Sequence, residues 1–194
     1  MKNGALNFVV FMNLFRFIKK VGNYSFRWVY SSIDHVGYTK YIGVNLAGTV
    51  FIYGNPREMF GTEPWAISLG NNVHITREVL FITHDGGTLL FRDQIPDLEV
   101  TSPIKIGNNV YIGARSIILP GVSIGSNVIV AAGSVVSRDI SDNSVVAGVP
   151  ARKIKSIEDY LNGIKTKSLH LGHLKGTEKD RALRKFFNAV DTKK

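Results

Sequence analysis

The sequence contains no cysteine among its 194 residues. This absence excludes disulfide bonds, zinc sites built from thiolates and a cysteine nucleophile, and it is typical of a reducing compartment. The chain also has no apolar run of about 20 residues, the length that a membrane-spanning helix requires. We find no signal peptide with a small-residue cleavage site. Together these absences favour a cytoplasmic protein, and the length of 194 residues predicts one domain with terminal extensions.

Acidic residues are scarce, and the net charge of +9 is unevenly distributed. Residues 1–40 carry six Lys/Arg and one acid, and residues 152–194 carry twelve Lys/Arg and five acids. Between them, residues 41–151 carry six Lys/Arg and nine acids, a net charge of −3. An acidic middle segment excludes a nucleic-acid groove along it. The basic ends suit phosphate-bearing ligands or an anionic membrane surface.

A six-residue repeat occupies most of the chain between Leu69 and Val136. Its first column holds large apolar residues: Leu69, Ile75, Phe81, Ile106, Ile112, Ile118, Ile124, Val130 and Val136. A column of smaller residues follows four positions later: Val73, Val79, Val110, Ser116, Val122, Val128 and Ser134. A fixed short period predicts a solenoid, here one of short Val- and Ile-rich strands with Gly-Asn corners. Glycine and asparagine tolerate the positive φ that tight corners need.

The repeat is interrupted between Asp85 and Pro103, directly after His84. A loop inserted into an otherwise regular array predicts the place where chemistry occurs. Residues 41–54 predict a less regular first coil, and residues 55–68, with two prolines, predict a loop.

The two ends of the chain predict helices. Residues 6–20 form an apolar stretch ending in Lys19 and Lys20, so it is either an interfacial membrane anchor or a helix packed on protein. After the repeat, Ser156 is a suitable helix cap, and a second helix is expected from Thr177. We therefore divide the chain into a helical extension at 1–40, a repeat domain at 41–152 with a loop at 86–103, and a basic helical tail at 153–194.

Three segments resemble the hexapeptide-repeat acyltransferases, in the branch that includes xenobiotic, maltose/galactoside and capsular-polysaccharide O-acetyltransferases. They read Ser-Leu-Gly-Asn-Asn-Val-His-Ile, then Phe-Ile-Thr-His-Asp-Gly-Gly before the inserted loop, then Ile-Lys-Ile-Gly-Asn-Asn-Val-Tyr-Ile-Gly-Ala continuing to Val-Ala-Gly-Val-Pro-Ala-Arg. The resemblance covers about residues 41–157. It implies an all-β solenoid, a left-handed parallel β-helix, with N-terminal and C-terminal helical extensions. It also implies a homotrimer with active sites between subunits and acetyl-CoA as acyl donor.

The resemblance gives His84 the place of the family's catalytic base. A sugar hydroxyl must lose its proton as it attacks a thioester, and an imidazole, with a reference pKa near 6.5, is a suitable acceptor of that proton. Such a base contributes about 10²–10⁴ in rate. Asp85, the loop acids Asp93, Asp97 and Glu99, or the backbone are the groups expected to orient the ring.

Six further residues are implied in binding acetyl-CoA. Tyr111 would line the acceptor or thioester site, where relatives often carry Trp. Ala114 and Ala132 would allow close approach of the pantetheine arm, and the Ala114 amide would stabilise the thioester oxyanion. Arg138, Arg152 and Lys155 would meet the nucleotide phosphates.

The acceptor implied is a sugar hydroxyl of a glycan precursor or surface polysaccharide. The Asp-Gly-Gly after His84 departs from the sugar-transferase form, in which Pro often follows, and this makes a simple disaccharide acceptor doubtful. N-acetylation of a nucleotide-linked amino sugar and antibiotic acetylation are the alternatives, and a non-catalytic scaffold is the alternative from another class. A zinc hydratase needs three convergent histidines. The array offers only His74 and His84, so we expect no metal.

Overall fold

The computed structural model describes residue 22 and residues 24–188. The chain forms two compact units, Met1–Ile157 and Glu158–Lys194. The helix predicted over residues 6–20, with the membrane contact that it suggests, lies outside the described residues.

In the first unit, the described residues begin with two helices, α1, which includes residues 24–33, and α2 at His35–Tyr41. Asp34 separates them, and its Oδ1 accepts a hydrogen bond of 2.8 Å from the Gly37 amide, which caps α2. Tyr38 and Thr39 are the buried residues of α2. The described part of the N-terminal extension is therefore helical, as predicted.

Thirteen short strands follow: β1 Asn45–Leu46, β2 Val50–Ile52, β3 Ile67–Leu69, β4 Val73–Ile75, β5 Leu80–Phe81, β6 Ile104–Ile106, β7 Val110–Ile112, β8 Ile117–Ile118, β9 Ser123–Ile124, β10 Val128–Val130, β11 Val135–Val136, β12 Ser144–Ala147 and β13 Arg152–Ser156. They form three sheets with orders β1-β3-β6-β9, β2-β4-β7-β10-β12-β13 and β5-β8-β11. Every pairing is parallel except β12 with β13. From β3 to β11 the chain visits the three sheets in turn, so each strand from β3 to β8 pairs with the third strand after it.

The two repeat columns form the core. All sixteen residues of these columns are buried, in agreement with the predicted repeat. Two of the sixteen, Ser116 and Ser134, are polar. Both of their hydroxyls donate to the Ala131 carbonyl, at 3.0 and 2.7 Å. A small polar residue is therefore accommodated in the inner column because its hydrogen bond is satisfied.

The corners between strands of the first and second sheets are stacked asparagines. Asn72, Asn109, Asn127 and Asn143 all have positive φ, between 54° and 56°. Each side-chain amide of the first three donates to the Oδ1 of the next asparagine, at 3.0 Å in every case. The predicted use of asparagine at positive φ is confirmed, and the ladder of amides was not anticipated.

The glycine that precedes such a corner has a different role from the one expected. The φ of Gly107 is not positive. A Cβ atom there would lie 2.7 Å from the backbone carbon and oxygen of Gly125 in the next coil. Gly107 is therefore required by the close approach of two backbones and not by the turn itself.

The C-terminal region begins with the antiparallel strand β13, which pairs with β12 through a shift in register between Val145 and Val146. Helix α3 spans Ile157–Lys165 and helix α4 spans Gly176–Phe186, with no fully buried residue in either. Both predicted C-terminal helices are present. Within the described part of the chain, no helix has the length and apolar character needed to cross a membrane.

We predict that Gly107→Ala destabilises the first unit by at least about 1–3 kcal/mol, because the added methyl overpacks against backbone that cannot rotate away. Gly86→Ala is the matched control, since a Cβ there meets no atom within 4 Å. The measurement is chemical denaturation followed by circular dichroism. Equal midpoints for the two variants would contradict the close approach of the two coils.

Candidate active site

His84 lies where the inserted loop leaves the array. It forms an antiparallel bridge with Thr101, so the two ends of the loop meet. The Asp85 amide donates to the Val100 carbonyl at 2.9 Å, and the Ser102 amide donates to the Thr83 carbonyl at 2.8 Å. Thr83 is buried and points into the unit. These contacts fix the backbone of His84 although the loop beyond it is exposed.

A carboxylate from another loop meets the His84 ring. Glu63 lies between two 3₁₀ turns, Pro56–Glu58 and Pro64–Ala66, and its Oε2 is 2.8 Å from His84 Nδ1. The Thr83 hydroxyl donates to the same oxygen at 2.6 Å, and the Thr62 hydroxyl donates to Oε1 at 2.7 Å. Both carboxylate oxygens of Glu63 are therefore occupied by donors.

These donors stabilise the ionised carboxylate. The Thr83 hydroxyl, then the Thr62 hydroxyl and the His84 ring, lower the pKa of Glu63 from 4.5 to about 2, against a smaller effect of burial. Since an ionised carboxylate only accepts hydrogen bonds, His84 Nδ1 must carry the proton. A neutral ring then has its lone pair at Nε2, and the side chain is 38% exposed. The arrangement provides a base with a fixed tautomer that a ligand can reach.

The acids of the inserted loop do not orient His84, and that expectation needs correction. The Asp85 carboxylate accepts from the Gly87 amide at 2.8 Å and caps the 3₁₀ helix Gly86–Phe91. Glu99 pairs with Arg92 at 2.6 Å, and Asp93 and Asp97 are exposed. Within the loop, the Asp85 carboxylate is engaged by a backbone amide and the Glu99 carboxylate by Arg92, so neither holds the His84 ring.

Glu63 was missed because the first coil is irregular. The Phe81 amide donates to the Met59 carbonyl at 2.8 Å, which places residues about 22 positions apart beside each other at this side of the unit. The regular part of the array has an offset of 18, as between Val110 and Val128. The pairing of Val50 with Val73 shows the longer offset in the neighbouring sheet. Counting back 21–23 residues from His84, instead of 18, reaches the segment that contains Thr62 and Glu63.

The structure brings two of the predicted acetyl-CoA residues together and places a third outside the core. Ala114 and Ala132 lie at successive corners, where the Gly133 amide donates to the Ala114 carbonyl at 2.8 Å. Ala132 is exposed and Ala114 is half-buried. Tyr111 lies on the outer face of β7, in register with His74 and Ile129, and is 44% exposed.

The predicted phosphate-binding residues lie at the C-terminal end of the array. Arg138 and Arg152 line one cleft of about 200 Å³, together with Lys153 and Asp139. Lys155 is exposed on β13 and does not line this cleft. The Arg152 side chain donates to the Ala151 carbonyl at 3.0 Å.

The remaining histidines have local partners or exposed positions. His74 stacks on Phe51, with ring centroids 4.4 Å apart, and lies 2.9 Å from the Tyr53 hydroxyl. His35 Nδ1 donates to the Ile52 carbonyl at 3.0 Å, and His170 and His173 are exposed. No group of three metal-ligating side chains occurs within residues 24–188.

The chain is similar to known proteins. The family model for the bacterial transferase hexapeptide, six repeats, matches residues 103–138. Protein CapG of Staphylococcus aureus is 53% identical over 119 residues, which cover 61% of this chain and 69% of CapG. The galactoside O-acetyltransferase of Escherichia coli K12 is 38% identical over 132 residues, covering 67% of this chain and 57% of that protein.

A solved structure is also similar. The maltose O-acetyltransferase from Clostridium difficile 630 aligns with a TM-score of 0.45 and 28% identity, over 62% of this chain and 73% of that one. The extent and identity of the CapG match, together with the matched hexapeptide repeats, decide the assignment. The chain belongs to the bacterial hexapeptide-repeat transferase family, and it is therefore an enzyme of the group-transfer class.

Proposed function

We propose that this enzyme transfers an acetyl group from acetyl-CoA to a hydroxyl of a sugar in a glycan precursor or surface polysaccharide. The observation that carries the proposal is the 2.8 Å contact between Glu63 Oε2 and His84 Nδ1, which leaves the lone pair at Nε2 of a partly exposed ring. The similarity to a galactoside O-acetyltransferase supports acetyl transfer to a sugar.

In the proposed reaction, His84 Nε2 takes the proton of the acceptor hydroxyl as its oxygen attacks the acetyl carbonyl carbon. The carbon–sulfur bond then breaks, and the imidazolium returns the proton to the departing CoA sulfur. Transfer is proposed to be direct, and the chain has no cysteine that could hold a thiol-linked acyl intermediate. The negative charge of Glu63 stabilises the imidazolium between these two proton transfers.

The donor is proposed to lie along the stacked corners. The small side chains of Ala114 and Ala132 leave room for the pantetheine arm, and the Ala114 amide would stabilise the oxyanion. Tyr111 would line the thioester or acceptor site. Arg138, Arg152 and Lys155 would bind the nucleotide phosphates, and the cleft shared by the first two supports that role.

The wider assembly is also a proposal. We infer a left-handed parallel β-helix for residues 41–152 and a cytoplasmic homotrimer with active sites between subunits. The parallel strand order supports a parallel β-helix, and the left hand follows from the family resemblance. The loop at 86–103 would cover an acceptor site of a neighbouring subunit, and residues 6–20 would contact a membrane surface or pack on protein.

We predict that His84→Ala lowers kcat by about 10²–10⁴ while leaving acetyl-CoA binding unchanged, because only the base is removed. Thiol release is measured across a panel of sugars, oligosaccharides and nucleotide-linked amino sugars. His173→Ala, which removes an exposed histidine, is the control. Wild-type turnover by His84→Ala would exclude this residue as the base.

We predict that Glu63→Gln lowers kcat about tenfold or more and leaves the KM for acetyl-CoA unchanged. Losing the carboxylate removes the acceptor that holds the proton at His84 Nδ1. The glutamine NH₂ can also donate to Nδ1 and reverse the tautomer. A purely structural role for Glu63 would lower the melting temperature together with the rate. Glu178→Gln, on α4, is the control.

We predict that Arg138→Gln/Arg152→Gln raises the KM for acetyl-CoA about tenfold or more, because charge-assisted hydrogen bonds to phosphate are lost. Acetyl-pantetheine, which lacks the nucleotide, should be used equally well by the variant and the wild type. Arg181→Gln/Lys185→Gln removes the same charge from exposed positions of α4 and serves as the control. An equal rise in KM with both donors would contradict the binding of the nucleotide phosphates by these arginines.

A further inference from the structure

A second cleft lies beside the base, between the α1–α2 helices and the loop that carries Glu63. Its volume is about 620 Å³, within the range of roughly 300–1,000 Å³ typical of small-molecule sites. Arg27, Tyr41, Arg57, Thr62 and Trp65 are among the residues that line it. None of the residues assigned above to acetyl-CoA lines this cleft.

Two guanidinium groups converge on the cleft without a carboxylate partner. Arg27 Nε donates to the Tyr38 hydroxyl at 3.3 Å, and Arg57 Nε donates to Asn55 Oδ1 at 3.4 Å. Neither takes part in the ion pairs found among the described residues. Glu58 shares an adjoining hollow with both arginines, and its Oε1 accepts from the Asn55 amide at 2.7 Å. The two guanidinium groups therefore line the cleft without an ion-pair partner, although the carboxylates of Glu58 and Glu63 lie nearby.

Aromatic rings hold the arginines and line the walls. The Arg27 guanidinium lies 6.0 Å from the centre of the Tyr38 ring, and that of Arg57 lies 6.0 Å from the Trp28 ring. Trp65 is 69% exposed and Tyr41 is 52% exposed. Exposed aromatic surface combined with a few convergent polar groups is typical of a ligand site.

The cleft adjoins the catalytic pair through Thr62. Thr62 lines the cleft, and its hydroxyl donates to Glu63 and lies 3.4 Å from His84 Nδ1. A molecule that fills the cleft therefore reaches the residues that surround the base.

We propose that this cleft is an acceptor subsite for a negatively charged sugar, in which Arg27 and Arg57 bind a carboxylate or phosphate group. Guanidinium groups pair with both anions through parallel N–H donors. The rings of Trp65 and Tyr41 pack against the apolar face of a sugar unit. The inference rests on the proposed acetyl transfer at His84, and it narrows the acceptor from any glycan to an acidic one.

Equilibrium binding tests the subsite without requiring turnover. Maltotetraose, tetragalacturonate and a singly phosphorylated maltotetraose are titrated by calorimetry into the wild type, Arg27→Gln/Arg57→Gln and His84→Ala. We expect an anionic ligand to bind the wild type and His84→Ala about tenfold or more tightly than the neutral one. This preference should weaken with added salt and disappear in the Arg27→Gln/Arg57→Gln variant. The better of the two anionic probes identifies the carboxylate or the phosphate.

Two further variants make the result decisive. Arg181→Gln/Lys185→Gln removes two positive charges elsewhere and should keep the preference. Arg27→Lys/Arg57→Lys retains the charge and should keep part of it, even if the glutamine variant does not fold. Equal affinity for neutral and anionic oligosaccharides in the wild type, or no binding of an anionic one, overturns the proposal.

The same variants separate this proposal from the proposed function. If acceptors are acetylated but anionic and neutral ones have the same KM, and Arg27→Gln/Arg57→Gln changes neither KM, the anionic subsite is wrong and acetyl transfer stands. If no acceptor is acetylated but the anion preference depends on the two arginines, the subsite stands and acetyl transfer is wrong.

Discussion

Stacking of successive coils in register is the interaction on which the rest of the structure depends. The strands of the regular array are only two or three residues long, so none has enough hydrogen bonds or buried area to persist alone. Each inner strand is bonded to a strand on either side, and the same apolar columns recur in every coil. Stability therefore depends on keeping the vertical register, and the close approach at Gly107 shows how little freedom that register has.

The site depends on the same constraint. Thr83 is held by its buried position, and the hydrogen bond from Phe81 to Met59 ties its strand to the loop that carries Glu63. The carboxylate and the imidazole thus come from consecutive coils and meet because those coils are aligned. Thr83 joins the two roles, since its hydroxyl binds Glu63 while its backbone closes the inserted loop.

The core could be predicted from sequence because apolar and small residues recur every six positions. Every member of both columns is buried, and the corner asparagines have the expected φ. His84 could be singled out because the repeat breaks beside it. Glu63 could not, because its pairing depends on a register that changes from coil to coil. The cleft lined by Arg27 and Trp65 could not be predicted either, since its prediction requires knowing how two helices pack beside an irregular loop.

The asparagine ladder also bears on how such a protein can vary. Its successive members are separated by 37, 18 and 16 residues, yet the three amide hydrogen bonds have the same length. The extra residues of the loop after His84 are inserted at a different corner of the coil, so they leave this ladder of amides unchanged. The fold thus separates a fixed scaffold from an exchangeable segment. The loop and the first coil can therefore change in length without disturbing the stacking of the later coils.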